Sequence, residues 1–183
     1  MSSDDIPQVL RLRKKHAPGA HQRPTAEDGK RIVDAQSVRY AFIAALIVVL
    51  VFSLLWMLVS DLFERVLPWL SMVLGIPVGI AVRRAGQGLD WRFPAIAGVM
   101  VLLGALLGNV VISAATSARE FDTNIFVILA SVTTYTWPVF FDEVMNAADF
   151  VYALFGAAIA AAYSNRRLTR REFQAVRIYR EGE

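Results

Sequence analysis

The side chains with most scope for chemistry are three carboxylates, Asp142, Glu143 and Asp149, which follow an apolar stretch ending at Trp137-Pro138. Asp142 and Asp149 stand seven apart and would share one helical face. Paired carboxylates so placed can hold a divalent cation or act as general acid and base. No nucleophile or metal-ligand set accompanies them, so a solvated turn and a helix cap is the expected role. Asp149 also stands where a span would begin, at the positive end of a helix dipole. Elsewhere the inventory is thin. The chain has no Cys, which excludes disulfides, thiolate metal sites and cysteine nucleophiles. His16 and His21 both lie in a polar N-terminal arm, away from the apolar segments. An enzyme is therefore not expected, and neither is a metal or other cofactor.

Within the long apolar stretches the clearly polar side chains are Ser53, Ser71, Asn109 and Ser113, and none is ionisable. Ionisable groups in hydrocarbon are costly and mark transport paths, so their absence counts against ion- or proton-coupled transport. Asn109, next to Gly108, is the candidate intramembrane polar contact. An interhelical hydrogen bond is its expected use, with a ligand or ion as the alternative.

These residues are carried by a chain of 183 residues, 56% hydrophobic and only 19% charged. Soluble domains average about 45–50% apolar and about 25% charged. The hydrophobicity is concentrated between Tyr40 and Ser164, which reads as one integral membrane domain between polar ends. A membrane helix needs about 20 apolar residues to cross roughly 30 Å of hydrocarbon. Four segments qualify: 40–60, 66–82, 94–115 and 148–164, the second and fourth being short. Segment 124–141 is apolar but broken by Thr133, Thr134, Thr136 and Pro138. It is expected to be re-entrant or interfacial within an outer loop, 116–147. The fold class expected is all-α: an integral membrane four-helix bundle with short interfacial helices.

Orientation follows from the tendency of Lys and Arg to stay cytoplasmic. With four spans and the N-terminus inside, the inner regions hold 8, 3 and 6 basic residues, and the outer loops only Arg65 and Arg119. A fifth span would carry the six-arginine tail outside. Both termini are thus expected in the cytoplasm, and the first span is expected to stay as an anchor. The arginine-rich, Ala- and Gly-rich composition is that expected of a GC-rich bacterial genome. Arg83, Arg84, Arg92, Arg166, Arg167, Arg170 and Arg171 are candidate contacts for anionic lipid headgroups. That use accounts for the basicity without nucleic acid.

Arm 1–39 is expected to be a cytoplasmic basic segment, partly disordered. Its LRLRKKH run (Leu10–His16) reads as a lipid-binding patch, with a docking peptide as the alternative. Thr25 and Asp28 have the spacing of a helix cap, and that helix is expected to run on into the first span. In tail 165–183, Thr169 and Glu172 repeat the spacing, with Phe173, Val176 and Tyr179 following. A basic amphipathic helix on the inner membrane surface is expected there.

Small residues let membrane helices approach closely. The pairs Gly75/Gly79, Gly104/Gly108 and Gly156/Ala160 are candidate packing positions, for helices of the same chain first and for a homo-oligomer or another protein second. Pro77, between the first pair, is expected to kink its span. The run Gly75-Ile-Pro-Val-Gly79-Ile-Ala-Val-Arg83-Arg84-Ala-Gly86-Gln-Gly88 resembles small four-span bacterial inner-membrane proteins with a GxxxGxAVR-type second helix. Asp149-Phe150 and Ala161-Ala162-Tyr163 fill the pattern of their last helix. Those proteins are mostly of unassigned function, so the resemblance implies a topology and no catalytic residue. Gly86 and Gly88 are expected to let the chain turn back after Arg84. The functional expectation is a non-enzymatic accessory, structural or assembly component of an inner-membrane complex. The alternative is a small oligomeric transporter or channel subunit lined by Asn109, Ser113 and the outer loop.

Overall fold

The computed structural model describes residues 24–182 except 64, 66, 133–135 and 145, and omits the side chains of 140, 142 and 143. The expected disordered arm to residue 23, with its LRLRKKH run, lies outside the described residues, as do the side chains of Asp142 and Glu143. Eight helices account for the described fold, and no strand occurs among those residues. They are α1 (Ala26–Asp34), α2 (Val38–Leu62), α3 (Leu70–Gly86), α4 (Arg92–Glu120), α5 (Ile125–Ser131), α6 (Trp137–Val144), α7 (Ala147–Ser164) and α8 (Arg170–Glu181).

Three of them, α2, α4 and α7, are long and apolar enough to cross a membrane. With 25 and 29 residues, α2 and α4 measure about 37 and 43 Å at 1.5 Å per residue. Both overrun the apolar segments read from the sequence and carry charged residues, Asp61 and Arg119, in their last turns. The 17 residues of α3, interrupted by Pro77, measure about 25 Å. Pro94 is accommodated because it falls in the first turn of α4, where its missing N–H has no intrahelical partner to lose.

The four long helices pack on one another in two parallel pairs. Val49 and Trp56 of α2 meet Gly104 and Gly108 of α4 in the same order along both helices. Gly75 and Gly79 of α3 likewise meet Gly156 and Ala160 of α7. The pairs oppose each other: Gly86 at the end of α3 touches Ala41 at the start of α2. The core between them is built from Ala41, Ala45, Val49, Leu74, Val78, Val82, Phe93, Ala97, Met100, Val101 and Ala160. The rest of α2 points outward, with Ile47, Leu54 and Leu58 each more than half exposed. Such a surface is stable only against lipid or another apolar surface.

One sequence expectation changes. The helix starting at Thr25 does not run into the first span. It ends at Asp34, and Ser37 caps a new helix, accepting from the Tyr40 N–H. The Ser37 N–H is taken by the carbonyl of Gly86 at 3.0 Å, which fixes the break. Segment 124–141 forms no continuous fifth helix. It supplies α5, seven residues long, and the start of α6, separate short helices that both pack on α4.

Candidate functional site

At the end of the bundle where α2 and α4 begin, called proximal here, the α3–α4 turn is a hub. Leu89 N–H donates to Gln36 Oε1 at 3.0 Å, tying in the α1–α2 junction. Arg166 N–H donates to the Gly88 carbonyl at 3.0 Å, tying in the α7–α8 junction. The Arg166 guanidinium bridges Gln87 Oε1 (3.0 Å) and Glu172 Oε1 (2.7 Å). Arg180 reaches Asp90 at 3.3 Å. The residue that turns left-handed is Gln87, with φ 48°, and not Gly86 or Gly88. Those glycines serve another purpose: a Cβ on Gly88 would fall 1.9 Å from the ring of Phe93, which is buried.

The terminal helices pair on this hub. Gly29 of α1 lies so close to α8 that a Cβ there would sit 2.2 Å from the Ala175 carbonyl oxygen. Ala175 and Val176 are buried, whereas Phe173 and Ile178 remain exposed. The tail helix therefore spends part of its apolar face on α1 and does not offer all of it to a membrane surface. Both helices open with capping boxes. Asp28 receives the Thr25 N–H, and Glu172 receives the Thr169 N–H at 2.8 Å and its hydroxyl at 2.9 Å. These bonds hold both carboxyls below their ordinary pKa, chiefly through the Thr25 side chain for Asp28 and the Thr169 backbone for Glu172.

Among the candidate headgroup arginines, Arg84, Arg92, Arg167, Arg170 and Arg171 are exposed at or near this end, and Arg83 is half-buried. Arg166 is set apart, since its half-buried guanidinium is already held by Gln87 and Glu172.

The small-residue candidates all face neighbouring helices of this chain. A Cβ on Gly75 would lie 2.1 Å from the Gly156 carbonyl oxygen, and one on Gly156 2.5 Å from that of Ser71. Gly79 faces Ala160 and Tyr163, Gly104 faces Leu74 and Val49, and Gly108 faces the Trp56 indole. Among the described residues, these candidate faces are used in packing within the chain.

Asn109 of α4 is buried, but its Nδ2 makes no hydrogen bond. The expected interhelical bond is absent; at the neighbouring Gly108 the flat Trp56 ring packs against α4, and its indole Nε1–H has no partner either. Ser53 and Ser60 hydroxyls, on the same face of α2, are also buried without one. Ser53, Trp56 and Ser60 thus make a polar seam on α2 running towards the far, distal end, and its Trp56 ring packs at Gly108, the neighbour of Asn109 in sequence. Ser71, by contrast, donates to Pro68 O at 2.7 Å. Sequence reading missed Trp56, although Ser53, Trp56 and Ser60 at spacings of three and four do share a helical face. An unpartnered buried amide costs about 1–3 kcal/mol. Asn109→Leu should therefore raise stability, by about 1 kcal/mol, in a denaturant titration of the detergent-solubilised protein. A loss of stability would show that Asn109 has a partner when embedded.

Asp149 is buried and not solvated, at 4% exposure. Phe141 of α6 packs on Phe150 of α7 and covers the start of that helix. Asp149 Oδ2 accepts the Asn146 N–H at 2.9 Å, completing a capping box, while Oδ1 has no partner among the described residues. No group of three metal-ligating side chains occurs among the described residues.

The class these features define is an all-helical protein with three candidate membrane-crossing helices and a polar helical cap at one end. Compared with known proteins, the chain matches no family model, no curated protein and no solved structure.

Proposed function

We propose that the protein is a non-enzymatic accessory or assembly component of a bacterial inner-membrane complex. In this reading α3 crosses beside α2, α4 and α7, and the proximal cap faces the cytoplasm. The observation that carries it is the cap itself. Helices α1 and α8, from opposite ends of the described chain, pack together and are pinned to the α3–α4 turn by Gln36, Gln87, Asp90 and Arg166. Such a construction holds a charged surface in fixed register with the membrane helices, which suits docking more than turnover. Its exposed arginines also favour anionic headgroups, about 1 kcal/mol for each well-placed charge.

Purification in mild detergent from its own membranes, followed by native mass and identification of co-purifying chains, tests this reading. A stoichiometric membrane-protein partner, lost when the α1–α8 pair is disrupted, is the expected result. A lone monomer, with every membrane complex intact in a deletion strain, would sink it.

A second reading, a small transporter or channel, is favoured by one feature, the buried unpartnered polar groups of Ser53, Trp56, Ser60 and Asn109 in α2 and α4. It requires flux in proteoliposomes that Asn109→Leu abolishes.

A further inference from the structure

At the distal end, past the polar seam, α2 and α4 enclose a pocket of about 330 Å³. Burial orders its lining. Ser60 and Ile112 are buried at the floor, Met57 and Ala115 are half-buried, and Asp61, Arg65, Arg119 and Glu120 are exposed at the mouth. The volume is in the range of small-molecule sites. Both helices that form it are long enough to cross a membrane, so their charged ends stand at headgroup level.

The charges at the mouth are not all spent on one another. Asp61 and Arg119 form an ion pair. Arg65 and Glu120 have no ion-pair partner among the described residues, although both border the same pocket. One unpaired cation and one unpaired anion at one opening match a ligand carrying both signs. A purely anionic ligand would satisfy Arg65 but place its charge beside Glu120. At the floor, the Ser60 hydroxyl is 6% exposed as a residue and has no hydrogen-bond partner. It waits for a polar atom of whatever fills the pocket. Beneath the charges the walls are apolar, and Leu58 and Leu62 next to them on α2 are strongly exposed.

From this we infer that the α2–α4 pocket binds a diacyl phospholipid whose headgroup carries a phosphate and a primary ammonium. The phosphate pairs with Arg65, the ammonium donates to Glu120, and a glycerol-level oxygen meets Ser60. The acyl chains leave along the apolar surface of α2. A primary ammonium suits Glu120 better than a quaternary one because it can donate charge-assisted hydrogen bonds. The site is independent of the accessory reading, since it uses no residue of the proximal cap.

The test is native mass spectrometry of the full chain in detergent, titrated separately with phosphatidylethanolamine, phosphatidylglycerol and free phosphoethanolamine. One phosphatidylethanolamine should be retained per chain, about tenfold more tightly than phosphatidylglycerol, as expected for one charged hydrogen bond. Arg65→Gln and Glu120→Gln should each weaken retention by about the same factor, whereas Arg65→Lys should largely preserve it. Both side chains are exposed, so neither variant endangers the fold, and an unchanged helical circular dichroism spectrum checks this. Equal retention of the two lipids, or retention untouched by either glutamine variant, overturns the inference. Equally tight binding of free phosphoethanolamine overturns the lipid as the source.

Discussion

Gly75→Ala should separate α3 from α7 and cost at least about 3 kcal/mol, the upper part of the usual range for overpacking. The added methyl has nowhere to go. It would stand 2.1 Å from the carbonyl oxygen of Gly156, which is backbone and cannot rotate away. Gly156→Ala should act alike, since its Cβ would lie 2.5 Å from the Ser71 carbonyl oxygen. Two controls separate this from a general glycine effect. Gly98 on α4 also faces α7, but its Cβ would rest 3.7 Å from the nearest atom, so Gly98→Ala should be neutral or gain up to about 1 kcal/mol of helix propensity. Gly104→Ala should fall between, because it meets the side-chain tips of Leu74 and Val49, which can shift. Unfolding in mixed micelles, followed by circular dichroism, ranks the four. If Gly75→Ala unfolds with Gly98→Ala, the close α3–α7 contact is wrong.

Gly29→Leu should release α1 from α8 while leaving the membrane helices folded. The Ala175 carbonyl oxygen stands 2.2 Å from where a Cβ would be, so even the first carbon of the new side chain forces the helices apart. Limited proteolysis is the readout. Cleavage at Arg31 or Arg177 should accelerate by an order of magnitude or more, corresponding to a loss of about 1.4 kcal/mol or more in local stability. The thermal transition of the bundle should stay in place. A shared loss of both would mean that the cap and the membrane core form one cooperative unit.

Acid should loosen the same pair. The folded pKa values of Asp28 and Glu172 are depressed, so each stabilises its helix above the ordinary carboxylate pKa. That contribution is lost as pH falls through the depressed folded value. Protease sensitivity of the cap should therefore rise below about pH 4, ahead of any change in the bundle. The effect is modest, because both residues are only half-buried and solvent still screens their charges.

What could be read from the sequence was what depends on neighbours along the chain. Apolar runs of sufficient length give α2, α4 and α7, because burying backbone polar groups in hydrocarbon leaves a helix as the only solution for a single segment. The Thr25–Asp28 and Thr169–Glu172 spacings locate two helix starts because a capping box is closed within four residues. A cap at Asp149 is legible for the same reason, but its burial is not, since burial is set by tertiary packing and not by neighbours along the chain. The glycine-rich turn was recognised, and the reason for its glycines was misread. Gln87 carries the left-handed conformation, while Gly86 and Gly88 are small because Phe93 packs on them.

Partition into a membrane and the positions of helix caps were set by the sequence alone, since hydropathy and capping are local sums. Which surface each small residue faces was decided only in three dimensions, because a glycine seam looks the same whether it meets its own chain or another. The pairing of α1 with α8, the packing of the Trp56 ring on Gly108 and the convergence of Asp61, Arg65, Arg119 and Glu120 on one pocket belong to that second kind. Each joins residues roughly fifty or more positions apart. No periodicity along the chain encodes such a contact, and it exists only once the parallel pairing of α2 with α4 brings their far ends together.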